Sequence, residues 1–162
     1  MGMIPVMLAI AGFVLLWMIV NYNSLSARRS NIVSLQEARE QLLNSYINLS
    51  KQLSALLLRY RINIPVYLIS FANEPSKKID NTRFDEAFKE LKLLVSNHSA
   101  DVQSTPDYQQ LIEPMELTAM KLLKNRQQLL AEVKAYNQHA SRMPYRIVAQ
   151  LFGFKKINLL VG

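Results

Sequence analysis

Residues 4–20, IPVMLAIAGFVLLWMIV, form one uncharged apolar run, and the first charged side chain of the chain is Arg28. At 1.5 Å of helical rise per residue this run reaches ~25 Å, the short end of what crosses a bilayer core. Pro5 suits a first helical turn, where a missing N–H is not needed. Trp17 and Tyr22 stand toward the C-terminal boundary, where amphipathic rings favour the headgroup level. A cleaved signal peptide needs a basic n-region, a shorter apolar core and a small-x-small site. No Lys or Arg precedes the run, and Asn21-Tyr22-Asn23 after it makes a poor cleavage site. The run therefore predicts a retained single-span anchor, with the lipid bilayer as partner of residues 4–20. Arg28 and Arg29 just beyond it predict an N-terminus outside and the bulk of the chain in the cytoplasm.

The remainder reads as long helices. Leu35, Leu42, Leu49 and Leu56 fall seven apart, with Tyr46, Leu53 and Tyr60 between them, the stripe of a coiled-coil-like helix packed lengthwise on others. Ser34 and Glu37 have the spacing of a capping box, although the lack of Gly and Pro between Val20 and Ile64 also allows one helix continuous with the span. Pro65 predicts a kink or break, since it disfavours helix at the residue before it. Asn73 to Asp80 is a loop by composition, Thr82 to Val95 a shorter helix, and Asn97 to Thr105 a second polar loop. Thr105-Pro106 is an N-cap followed by Pro at the first helical position. From there a three-four register runs through Tyr108, Met115, Leu122, Leu129 and Tyr136 to Met143, with Pro114 off the stripe and Pro144 as the stop. No alternating run bounded by turn residues supports β-structure. The expected fold is all-α: an N-terminal transmembrane helix followed by a long antiparallel three- to four-helix up-down bundle. The expected divisions are residues 1–27 as anchor and juxtamembrane segment, 28–144 as bundle, and 145–162 as an apolar C-terminal segment.

Little in this chain is suited to chemistry. With no Cys, disulfides, thiolate metal sites and thiol nucleophiles are excluded. His98 and His139 each lack a second ligand three or four residues away, so no metal is expected. The pairs Glu37/Glu40, Glu86/Glu90 and Glu113/Glu116 have the spacing of ordinary solvated helix faces. Arg39 and Arg126 occupy stripe positions where Leu would be expected. They mark a candidate inter-helix polar site, with Glu37 or Glu40 as local carboxylates for Arg39, or else stems that cover apolar surface while the guanidinium reaches water. The formal net charge is +7, yet the basic residues are spread over all segments and no recognition motif interleaves them, so no nucleic acid is expected. Pro144 to Gly162 is unusually apolar for a tail. It folds back to cap the bundle or docks a partner through Leu151, Phe152, Gly153 and Phe154. Insertion into the anchoring membrane is disfavoured, because counting helices outward from the membrane places Pro144 at the distal end, tens of Å from the bilayer by helix rise.

Several of these residues together resemble the LemA family. Tyr22-Asn23 follows the span directly; Leu58 to Leu68 carries an arginine-containing stretch leading to Ile64-Pro65; and the C-terminal part holds Ala135-Tyr136-Asn137, Met143-Pro144 and Ile147 to Phe154 ending in Phe-Gly-Phe. Ile62, Asn63 and Met143 depart from the family's usual residues, as in a divergent member. The resemblance implies a single-pass protein of the bacterial inner membrane with a helical bundle, no cofactor and no enzymatic activity. It leaves a scaffold or adaptor that binds another protein or itself as the leading expectation. A membrane-remodelling or magnetosome-type LemA-domain protein, and a membrane-tethered sensor with a ligand between helices, are the alternatives.

Overall fold

A computed structural model describes residues 3–97 and 105–158. Five α-helices account for most of them: α1 (Met3–Arg59), α2 (Val66–Asn73), α3 (Asn81–Asn97), α4 (Pro106–Ser141) and α5 (Tyr145–Leu151). A single 3₁₀ turn, Ser76–Lys78, lies between α2 and α3, and no strand occurs among the described residues. The fold is all-α, as the periodicity predicts. His98 and most of the expected loop Asn97 to Thr105 lie outside the described residues.

α1 runs through Ser34 without interruption, so the capping-box reading of Ser34 and Glu37 is corrected. The Ser34 hydroxyl instead donates back to the Asn31 carbonyl at 3.0 Å. No Gly or Pro in this stretch disrupts the ladder, and continuity outweighs a local cap signal. The helix ends before Pro65 rather than at it. Arg61 adopts a left-handed φ of 58°. The Ile62 N–H then reaches the Leu57 carbonyl at 3.0 Å and the Arg61 N–H that of Leu58 at 3.0 Å, a Schellman arrangement. Its usual apolar contact is supplied by buried Leu57 and half-buried Ile62. Pro65 then stands at the N-cap of α2, where a missing N–H costs nothing.

The described residues form two compact units, one joining residues 3–36 with 128–158, the other lying within Glu37–Gln127. In the second unit, α2 packs on α3, and both pack with α1 and α4 around Leu43, Leu53, Phe71, Ala87 and Met115. The Tyr46 ring is the hub, lying edge-on to Phe71 (6.2 Å) and Phe84 (5.1 Å) between ring centroids. Asp80 caps α3, its Oδ1 accepting from the Arg83 N–H at 2.8 Å. Pro114 interrupts the ladder of α4 without ending it; the Thr118 hydroxyl donates to the Pro114 carbonyl at 2.7 Å.

The first unit buries Leu25 and Ile32 of α1 against Leu129, Val133, Tyr136 and Ala140 of α4 and Val148 and Ala149 of α5. Trp17, Met18, Phe154 and Ile157 pack at its margin. Residues 3–16 of α1 stay uncovered, and none of its most apolar window is buried.

Candidate functional site

Within the first unit, the C-terminal segment returns to the residues at which the apolar run of α1 ends. The Phe152 ring lies edge-on to Tyr22 at 5.0 Å and Phe154 to the same ring at 5.5 Å. Phe152 also lines, with Leu15, Met18, Ile19 and Tyr22, an open apolar groove of about 290 Å³. This corrects the expectation that Pro144 lies at the end distal to the apolar run. The count of helices assumed three of similar length, whereas α2 and α3 are short and α4 comes back along the first part of α1.

The segment is fastened by three devices that sequence spacing does not reveal. Gly153 takes a φ of 69°. That left-handed turn lets the Phe154 N–H reach the Ala149 carbonyl at 2.9 Å and closes α5 with the longer bond of a Schellman arrangement. A Cβ at Gly153 would meet nothing within 4 Å, so the demand for glycine is one of backbone conformation alone. Asn137 on α4 uses its side-chain amide as a strand would use its backbone: Nδ2 donates to the Ile157 carbonyl at 2.9 Å, and Oδ1 accepts from the Ile157 N–H at 2.9 Å. The neighbouring Tyr136 hydroxyl donates to the Lys155 carbonyl at 3.1 Å. Burial raises the Tyr136 pKa, partly offset by the positive charge of Arg29. The Tyr136-Asn137 pair, a stripe residue and its neighbour in the sequence, is thus a clamp on residues 155–157.

Leu151 and Phe152 remain exposed, Gly153 sits in the turn, and Phe154 is half-buried in the core. Asn21, one residue before Tyr22, is buried and its amide donates to the Trp17 carbonyl at 2.6 Å. Arg28 pairs with Glu132 at 3.6 Å. His139 is half-buried, its Nδ1 within 2.9 Å of the Ala135 carbonyl and its ring against Tyr145.

In the second unit Arg39 and Arg126 do come together. Both line a gap with Leu43, Asn81 and Phe84 whose free volume is about 10 Å³, room for about one water. Arg39 does not use Glu37 or Glu40. Its Nη2 donates to the Ile79 carbonyl at 3.2 Å and to Asn81 Oδ1 at 3.4 Å, next to the cap of α3. Burial and the charge of Arg126 lower its pKa, and Asp80 opposes them. Arg126 pairs with Asp85 at 3.0 Å. Among the described residues no three His, Asp or Glu side chains converge as a metal site would require.

The family model described as LemA family matches residues 21–161, from the end of the apolar run almost to the last residue. No curated protein and no solved structure matches the chain.

Proposed function

The chain belongs to the LemA family, and on that premise we propose that it is a membrane-anchored helical adaptor without catalytic activity. Residues 4–20 hold it in the bacterial inner membrane, with the N-terminus outside and the body in the cytoplasm, where it presents helix faces to another protein or to a second copy. The observation that carries this reading is the uncovered apolar start of α1, whose uncharged run is long enough to cross a bilayer core and is joined without a break to a packed helical body. Arg28 and Arg29 beyond it support the orientation.

A docking face for protein is supported on α4 in the second unit. Leu117, Met120 and Leu123 recur every three residues and are 52%, 68% and 40% exposed, flanked by Glu116, Lys121 and Lys124. An apolar centre with a charged rim is the composition of a transient interface. The absence of cysteine permits a direct test: Met120→Cys carrying a photo-crosslinker, expressed in native membranes and analysed by mass spectrometry. One specific, stoichiometric protein adduct is the expected result. Adducts to lipid alone, or none, would overturn the adaptor reading.

A further inference from the structure

The C-terminal segment carries an apolar surface that nothing in its own unit covers. On α5, Val148 and Ala149 face the core, while Ile147 and Leu151, one turn apart on the other face, are 40% and 65% exposed. Phe152 adds to them at 54%. A loose tail bearing such residues would mean little, but here the Gly153 turn and the Tyr136-Asn137 clamp hold them in place.

Two further observations identify what covers this surface. The first is position: Phe152 lies on Tyr22 and shares a groove with Leu15, Met18 and Ile19, which belong to the apolar run itself. The second is charge. After Glu132 the chain has no acidic residue, whereas Arg142 and Arg146 precede the exposed apolar residues and Lys155 and Lys156 follow them, all four exposed. Apolar side chains bracketed by cations are the composition of an element lying in a membrane interface.

We propose that residues 142–156 form a second membrane contact, docking on the surface of the bilayer that holds the span. Ile147, Leu151 and Phe152 enter the boundary between headgroups and acyl chains. The upper part of a phospholipid chain fills the groove beside Phe152, and Arg142, Arg146, Lys155 and Lys156 bind anionic headgroups. This rests on the reading of residues 4–20 as a span. It assigns the exposed apolar face of α5 to lipid rather than to protein.

The experiment uses the full chain, whose lack of cysteine allows single labels, in vesicles of phosphatidylcholine alone or of equimolar phosphatidylcholine and phosphatidylglycerol. A fluorophore is placed at Leu151→Cys, with Ile10→Cys in the span and Ser45→Cys on the exposed face of α1 as references. Each is challenged with a lipid bearing a nitroxide below its headgroup and with aqueous iodide. In anionic vesicles the Leu151 label should be quenched by the lipid and shielded from iodide, as the Ile10 label is, and the Ser45 label should show the reverse. Lys155→Gln with Lys156→Gln should lower the ratio of docked to undocked segment by about 25-fold, two cations near an anionic surface each counting roughly fivefold. An Ile10 label quenched by lipid beside a Leu151 label open to iodide overturns the docking alone. A Leu151 label shielded from both quenchers means that protein covers the face, and also overturns it. An Ile10 label open to iodide overturns the span and the docking together.

Discussion

Asn137→Ala removes the two hydrogen bonds that tie Ile157 to α4, both 2.9 Å long and half-buried. Each such bond contributes about 1 kcal/mol net, so their joint loss is worth ~2 kcal/mol, with water reaching the freed backbone groups and limiting the penalty. That difference multiplies the opening equilibrium of residues 155–158 by about 30. The assay is amide hydrogen exchange by mass spectrometry on the chain in detergent micelles, read on the peptide containing Ile157. Exchange there should accelerate by about that factor, while peptides around Tyr46 and Phe84 in the other unit stay unchanged. Tyr136→Phe, which loses only the bond to Lys155 at 3.1 Å, should show roughly a fivefold effect. Asn137→Asp keeps the acceptor for the Ile157 N–H but sets a carboxylate against its carbonyl, so exchange should slow again as the carboxyl protonates. Exchange in Asn137→Ala within twofold of the wild type would show that core packing, not the amide clamp, holds the segment.

Tyr46 is 1% exposed and its hydroxyl has no hydrogen-bond partner; Tyr46→Phe should therefore raise stability by about 1 kcal/mol in thermal melts, and a loss would reveal a bonded hydroxyl. Burial raises the pKa of Tyr46, Tyr108 and Tyr136, so the unfolded chain binds fewer protons than the folded one once pH exceeds about 10. Stability should be flat with respect to these groups below that pH and fall above it, less steeply in Tyr46→Phe; a flat alkaline limb would refute the burial. Arg61 carries a left-handed backbone at φ 58°. Arg61→Gly should gain ~0.5 kcal/mol after the unfolded-state entropy of glycine is offset, and Arg61→Val should lose ~1 kcal/mol. Denaturation midpoints moving the same way in both variants would contradict this account of how α1 ends.

What the sequence disclosed and what it hid follow from the range of the interactions involved. The stripe predicts helix over the second half of α1 and over nearly all of α4 because periodicity is local. It misplaces the centre of the buried face. Leu35, Leu42 and Leu49 are only half-buried, while Leu43, Ile47 and Leu57 are buried. A strict step of seven drifts about 20° per heptad on a straight helix, so a face read in heptads slips sideways over three of them. The Thr105-Pro106 start of α4 depends on adjacent residues and is found where expected. Arg61 offers no such signal, since Gly or Asn would have been the marker of a left-handed turn. Sequence proximity offers Arg39 the carboxylates of Glu37 and Glu40, two and one positions away, yet its acceptors lie 40 and 42 positions on. Asn137 and Ile157 are likewise paired across 20 positions by an amide whose role only coordinates reveal.

The first unit is discontinuous in the chain, whereas Glu37–Gln127 is continuous. That ordering has a consequence during synthesis. The ribosome completes the inner unit while Leu25 and Ile32, already made, still lack every partner that buries them. Those partners, from Leu129 to Ile157, emerge last. The nascent chain thus carries an unpaired apolar helix face beside the apolar run of α1 for much of its translation. Contacts of this sequence separation form late and slowly. A stop codon between Gln127 and Tyr136 would leave most of that face bare permanently, so such truncations should be found aggregated or degraded, even though they retain the whole of the inner unit.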